Sequence, residues 1–199
     1  MRRQVIELTR QFDVPDPVWQ GQYIVEIIEV SAAYLAKAEP DQASHYHNLA
    51  HQLITDIEMR AAQATSPFPG MRQLLDRLRG HGIKLGVVTR NCRPAVLATF
   101  PDLLDYVDQL TARGDCEFLK PDPRHATHCL QMLETPPAQA SMVGDGKLDM
   151  HLGRELGMFC VGVTSGSQDA DGLRSHGAHQ VLEQLRHDTV LEQLLSLRL

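Results

Sequence analysis

The chain has no surplus of positive charge. Its 19 lysines and arginines are outnumbered by 25 acidic residues, for a formal net charge of −6. Binding along a nucleic-acid backbone needs a basic face, so no nucleic acid is expected as a partner. An anionic membrane surface is disfavoured on the same ground. Long hydrophobic runs are missing too. No stretch approaches the ~18 apolar residues of a spanning helix, and the basic start MRRQVIEL lacks the apolar core of a secretion signal, so no membrane partner is expected. Cysteine is sparse. Cys92, Cys116, Cys129 and Cys160 lie 24, 13 and 31 residues apart. They form no C-x-x-C pair and fit no common zinc pattern. Reduced thiols in a cytoplasmic protein are the expectation. What is present is ordinary for a soluble domain: 43% apolar and 22% charged residues in 199, enough chain to bury a core without disulfide staples.

Glycine is nearly absent from the first 65 residues, where only Gly21 occurs. That segment reads as helices: one carrying Val5, Leu8 and Phe12, one from about Val18 to Lys37, and one from about Gln42 to Ala64, with breaks at Val14-Pro-Asp-Pro17 and Glu39-Pro40-Asp41. The cluster Thr65-Ser-Pro-Phe-Pro-Gly70 marks the boundary between an all-helical segment, 1–65, and a different pattern over 66–199. There, helices alternate with short apolar runs: Ile83–Thr89, a weaker run near Tyr106–Thr111, Ala140–Val143, Phe159–Val163 and Gln180–Leu182. The intervening helices are expected over Met71–Arg79, Pro94–Thr99, Asp122–Leu133, Leu148–Leu156 and a short one ending at Leu173–Gly177, with a closing helix at Val190–Leu197. Strand–helix alternation implies an α/β fold with a doubly wound parallel sheet.

Open α/β sheets bind ligands at the carboxyl ends of their strands. Thr89, Arg90 and Asn91 follow one apolar run, and Gly144-Asp145-Gly146-Lys147-Leu148-Asp149 follows another. Between them, Phe118-Leu-Lys120-Pro-Asp-Pro123 carries a lysine in a proline-stiffened loop. A hydroxyl, an ammonium and two acids at i, i+4 thus converge on one sheet edge. That set suits phosphoryl chemistry. The hydroxyl and nearby backbone N–H groups can bind phosphate oxygens, and the lysine can neutralise their charge. Asp145 ends a strand and Asp149 lies one turn into the next helix, a spacing that lets both carboxylates face one point and suits Mg²⁺, which takes one or two carboxylates and completes its shell with water and phosphate. Singly, each residue reads more simply: a capping threonine, a surface lysine, an Asp-Gly turn. Jointly and in order at strand ends, they do not.

These motifs resemble those of the haloacid dehalogenase-like superfamily. Thr89 in VVTRN, Lys120 in LKPDP and Asp145/Asp149 in GDGKLD are similar to its second, third and fourth motifs. The nearest subgroup is the phosphoglycolate-phosphatase-like enzymes, in which a helical cap lies between the first and second motifs. The resemblance implies a Rossmann-like hydrolase core with an N-terminal all-helical cap that closes over the site, and a Mg²⁺-dependent phosphatase acting on a small phosphorylated metabolite such as phosphoglycolate through a phosphoaspartyl intermediate. By motif, Thr89 would hold the phosphoryl group, Lys120 would screen its charge, and Asp145 and Asp149 would serve the metal. Arg90 and Asn91 flank Thr89 and would touch substrate. A dehalogenase of the same superfamily is disfavoured, because it has no need of the Asp145/Asp149 pair.

One family motif has no counterpart. The first, an apolar strand followed by D-x-D-G-T, supplies the nucleophile and the general acid, and it does not occur in the chain. Without an attacking carboxylate the covalent route is closed. Two expectations compete: a start internal to a longer gene product, or a non-catalytic relative that binds phosphate or metal. The family's first strand lies between the strands ending at Thr89 and Gly144. Without it those two strands are expected about 9–10 Å apart rather than paired at about 4.8 Å. The segment Asp169-Ala-Asp171-Gly172 spells a similar pattern, but it follows a polar loop and precedes a helix, which makes it a helix cap.

Other polar groups read as surface. His47 and His51 stand at i, i+4 with His45 nearby, a spacing able to bind zinc if a third ligand closes the geometry. A solvated helix face is the simpler expectation, as it is for His125 and His128. Trp19, Tyr23 and Tyr34 are expected to pack the helical segment.

Overall fold

The computed structural model describes residues 1–166 and 168–183. The chain divides into two units, Met1–Ala64 and Thr65–Leu199. No helix of the described residues is long and apolar enough to cross a membrane.

The first unit is entirely helical: α1 (Arg2–Gln11), α2 (Asp16–Trp19), α3 (Ile24–Leu35) and α4 (Pro40–Ala62). The single helix expected from Val18 to Lys37 is two. Gly21 adopts φ +81, a left-handed conformation that costs glycine little, and Tyr23 is extended, so the chain turns between α2 and α3. Helix α4 starts with Pro40 at its first position, where a missing N–H costs nothing. The core gathers Val5, Val14, Trp19, Ile27, Ile28, Leu35, Tyr46, Ala50 and Ile54. One polar pair is buried there: Thr9 Oγ1 lies 2.8 Å from the Tyr46 hydroxyl and donates to the Val5 carbonyl at 2.8 Å. Tyr34 does not join the core and is exposed.

The second unit begins with α5 (Met71–Gly80) and alternates thereafter: β1 (Gly86–Cys92), α6 (Arg93–Thr99), α7 (Leu103–Tyr106), β2 (Gln109–Arg113), α8 (Pro123–Met132), β3 (Ser141–Gly144), α9 (Lys147–Glu155), β4 (Phe159–Val163), α10 (Ala170–Ser175) and β5 (Gln180–Leu182). The helix expected at Val190–Leu197 lies outside the described residues. All strand pairs are parallel: β1 with β2, and β3 with β4 with β5. Successive β4 residues show helices on both faces. Cys160 packs with Met150, Leu152 and Leu173 of α9 and α10, while Val161 packs with Leu74 and Leu78 of α5. This is a doubly wound α/β sheet.

Two features of the sheet bear on the site. The first strand is displaced from its expected span, Ile83–Thr89, to Gly86–Cys92. Leu85 is held outside the ladder: its N–H donates to Asp108 Oδ2 at 2.7 Å, and its carbonyl accepts from Asp108 and Gln109. The register with β2 then slips between Val88 and Cys92. Second, the described strands form two separate ladders. β1 and β3 share none. Val143 of β3 is 37% exposed, unusual for an apolar residue in a strand of a doubly wound sheet.

Candidate active site at the carboxyl ends of β1 and β3

Lys120 lies in the loop between β2 and α8, three residues before the helix begins. Its side chain reaches back into the sheet edge, where Nζ donates to the Val88 carbonyl at 2.9 Å and to Asp149 Oδ1 at 2.7 Å. The two side chains are only 11% and 15% exposed. Taking an ammonium and a carboxylate out of water is costly unless each is paired. Here each neutralises the other, and the strand carbonyl takes a second lysine proton. The lysine is thereby fixed between β1 and the start of α9.

Thr89, Arg90 and Asn91 do not follow the strand as the sequence suggests. They lie within β1, in the part where its register slips. The slip turns Thr89 Oγ1 toward its own backbone, where it accepts the Asn91 N–H at 3.2 Å. That leaves the threonine O–H proton available to donate. Arg90 is directed inward: its guanidinium donates to the Lys120 carbonyl, so it braces the lysine loop. Asn91 is exposed.

Asp145 stands one residue beyond β3 and is exposed, whereas Asp149, in the first turn of α9, is largely buried. Glycines make room for both. A Cβ on Gly144 would fall on the Asp149 carboxylate, and one on Gly166 would fall on that of Asp145. Two carboxylates set beside bare backbone, one open to solvent and one half-neutralised by lysine, fit a hard divalent cation that keeps most of its waters. Mg²⁺ fits this donor set.

His125 corrects a sequence expectation. It is not a surface residue of α8 but is fully buried. Its Nδ1 accepts the backbone N–H of Lys120 at 3.2 Å, and its pKa is lowered to about 4, chiefly by burial and then by the charges of Lys120 and Arg90. The ring is therefore neutral and pins the residue that carries the ammonium. Helical periodicity could have revealed it, because His125 shares a stripe with Ala126, Cys129 and Leu130, all buried. Asp169 behaves as its position suggested, capping α10 by accepting the Gly172 N–H at 2.7 Å.

A doubly wound parallel sheet with helices packed on both faces defines a Rossmann-like α/β fold. The chain belongs to the haloacid dehalogenase-like hydrolase family, whose model matches residues 6–163. Among curated relatives, a phosphoglycolate phosphatase of Nitrosospira multiformis is 33% identical over 101 residues, 49% of this chain and 44% of that protein. The validoxylamine A 7'-phosphate phosphatase of Streptomyces hygroscopicus is 28% identical over 146 residues, 68% of each. The chain spans about half the length of the first curated relatives it matches. The fold is similar to that of β-phosphoglucomutase from Clostridium difficile, with a TM-score of 0.66 at 16% identity over 98% of this chain and 90% of that one.

Proposed function

We propose that this chain carries the phosphate- and metal-binding part of a Mg²⁺-dependent phosphatase acting on a small organic phosphate such as phosphoglycolate, in the cytoplasm. The observation that carries the reading is the Lys120 ammonium held between the Val88 carbonyl of β1 and Asp149 of α9. Thr89 would donate its hydroxyl proton to a phosphoryl oxygen, and Lys120 would offset the charge that develops on the phosphoryl group. Asp145 and Asp149 would hold Mg²⁺, which supplies further charge neutralisation when bound. Arg90 acts through the Lys120 backbone rather than on substrate, and Asn91 is free to reach it.

The attacking carboxylate is the remaining requirement, and the chain contains no D-x-D-G-T motif. We propose that in the active protein a further parallel strand lies between β1 and β3 and brings that carboxylate. Support comes from the two separate ladders and the exposed Val143. The missing motif also favours a second reading, a non-catalytic relative that binds phosphate and metal.

Titration calorimetry with inorganic phosphate tests what both readings share. Binding is expected to need Mg²⁺ and to weaken at least ~10-fold in Lys120→Met and in Asp145→Asn, about the 1.4 kcal/mol of one modest charged hydrogen bond. Binding unchanged in both variants would overturn the site.

A further inference from the structure

The helical unit holds a second constellation of metal-ligating groups, within the first unit and apart from the sheet residues. Glu29 of α3 and His47 and His51 of α4 bring one ligand atom each to within 4.8 Å of the others. Glu29 Oε1 lies 3.3 Å from His47 Nε2 and 3.0 Å from His51 Nε2. We propose that these three side chains form a binding site for a divalent transition metal, Zn²⁺ foremost, that cross-links α3 to α4.

The distances suit the ion. In tetrahedral zinc sites the bonds to histidine nitrogen and carboxylate oxygen are about 2.0–2.1 Å, which places neighbouring ligand atoms about 3.3 Å apart. Two edges of the triangle already have nearly that length. Both imidazoles address the same carboxylate oxygen through Nε2, so a cation at the centre replaces the protons they now share with it. His47 and His51 are one helical turn apart, their rings 4.3 Å between centroids, and both aim at the facing helix. The ligand triad stands on a rigid base: Ile27 and Ile28 beside Glu29, and Tyr46 and Ala50 beside the histidines, are fully buried. Holding the backbone in this way pre-pays much of the ordering cost of binding. The side chains remain 29–54% exposed, so a fourth position is open to water. The chemistry differs from that of Asp145 and Asp149. Imidazole nitrogens select zinc and its neighbours, whereas Mg²⁺ prefers oxygen alone. His45 points elsewhere, with its ring 5.8 Å from that of Phe12.

The test is titration of the untagged, chelator-stripped chain with Zn²⁺ in excess Mg²⁺, followed by calorimetry, with Co²⁺ as an optical probe. One Zn²⁺ per chain is expected, with a Co²⁺ spectrum of four-coordinate intensity. Glu29→Gln and His51→Ala should each weaken binding by at least ~10-fold, the cost of disturbing even an outer-sphere partner, while His45→Ala leaves it unchanged. Glu29 is exposed, so its variant keeps the fold, checked by circular dichroism. Binding that survives both substitutions, that vanishes instead in Asp145→Asn, or that never saturates would overturn the proposal and leave a solvent-exposed Glu–His hydrogen-bond network.

Discussion

His125 shows how a buried residue that does no chemistry can make stability depend on pH. Its pKa in the folded chain is about 4, below the ~6.5 of a free imidazole. Between those values the unfolded chain binds a proton that the folded chain refuses, so stability rises with pH across that window. The contribution is complete above about pH 6.5 and is lost on acidification, at up to about 1.4 kcal/mol per pH unit. His125→Asn keeps an acceptor for the Lys120 N–H without a titrating ring. Denaturant unfolding at about pH 7 and about pH 5 should show a smaller acid loss for the variant than for the parent; equal losses would show that the ring does not titrate in this window. The sequence displayed the site's lysine and acids but not this support. Lys120 and Asp149 are legible as motif residues, yet their 2.7 Å pairing depends on a loop and a helix that no local pattern relates. His125 was hidden because a histidine two residues into a helix is usually solvated, and only the apolar stripe behind it says otherwise.

At the level of elements, the helices and strands follow local signals and their ends follow tertiary ones. Prolines and the Thr65–Gly70 breaker marked the helical unit well, because missing N–H groups act locally. The break between α2 and α3 rests on a single left-handed glycine, which periodicity does not register. The displacement of β1 to Gly86–Cys92 comes from Asp108, a residue 23 positions from the Leu85 it binds. The same limit applies to the His47/His51 pair: the helical spacing was visible, but its third partner, Glu29, lies 18 residues away on another helix. α3 and α4 share an apolar seam that includes Ile27, Ile28, Leu35, Tyr46, Ala50 and Ile54. Ile28, fully buried in that seam, is the place to test it. Ile28→Ala should cost about 2–5 kcal/mol, read as a lower denaturant midpoint for the loss of helical signal. A loss below about 1 kcal/mol would mean that the helices do not depend on this core.

On the scale of the whole molecule, each unit has its own core, and the residues proposed to hold phosphate and Mg²⁺ all belong to the second. The doubly wound sheet was legible from strand–helix alternation, because each buried parallel strand announces itself as a short apolar run. The described strands form two ladders, and β1 and β3 share none. Lys120 ties Val88 of β1 to Asp149 in the first turn of α9. The central claim is that this edge becomes a phosphatase site when a strand-borne carboxylate joins it. The most direct measurement is Mg²⁺-dependent release of inorganic phosphate from phosphoglycolate. It should be made on the 199-residue chain and on the same chain preceded by an apolar strand ending in D-x-D-G-T. The account predicts no turnover by the former and Mg²⁺-dependent turnover by the latter, abolished by Lys120→Met. Turnover by residues 1–199 alone, or turnover that survives the loss of Lys120, would contradict it.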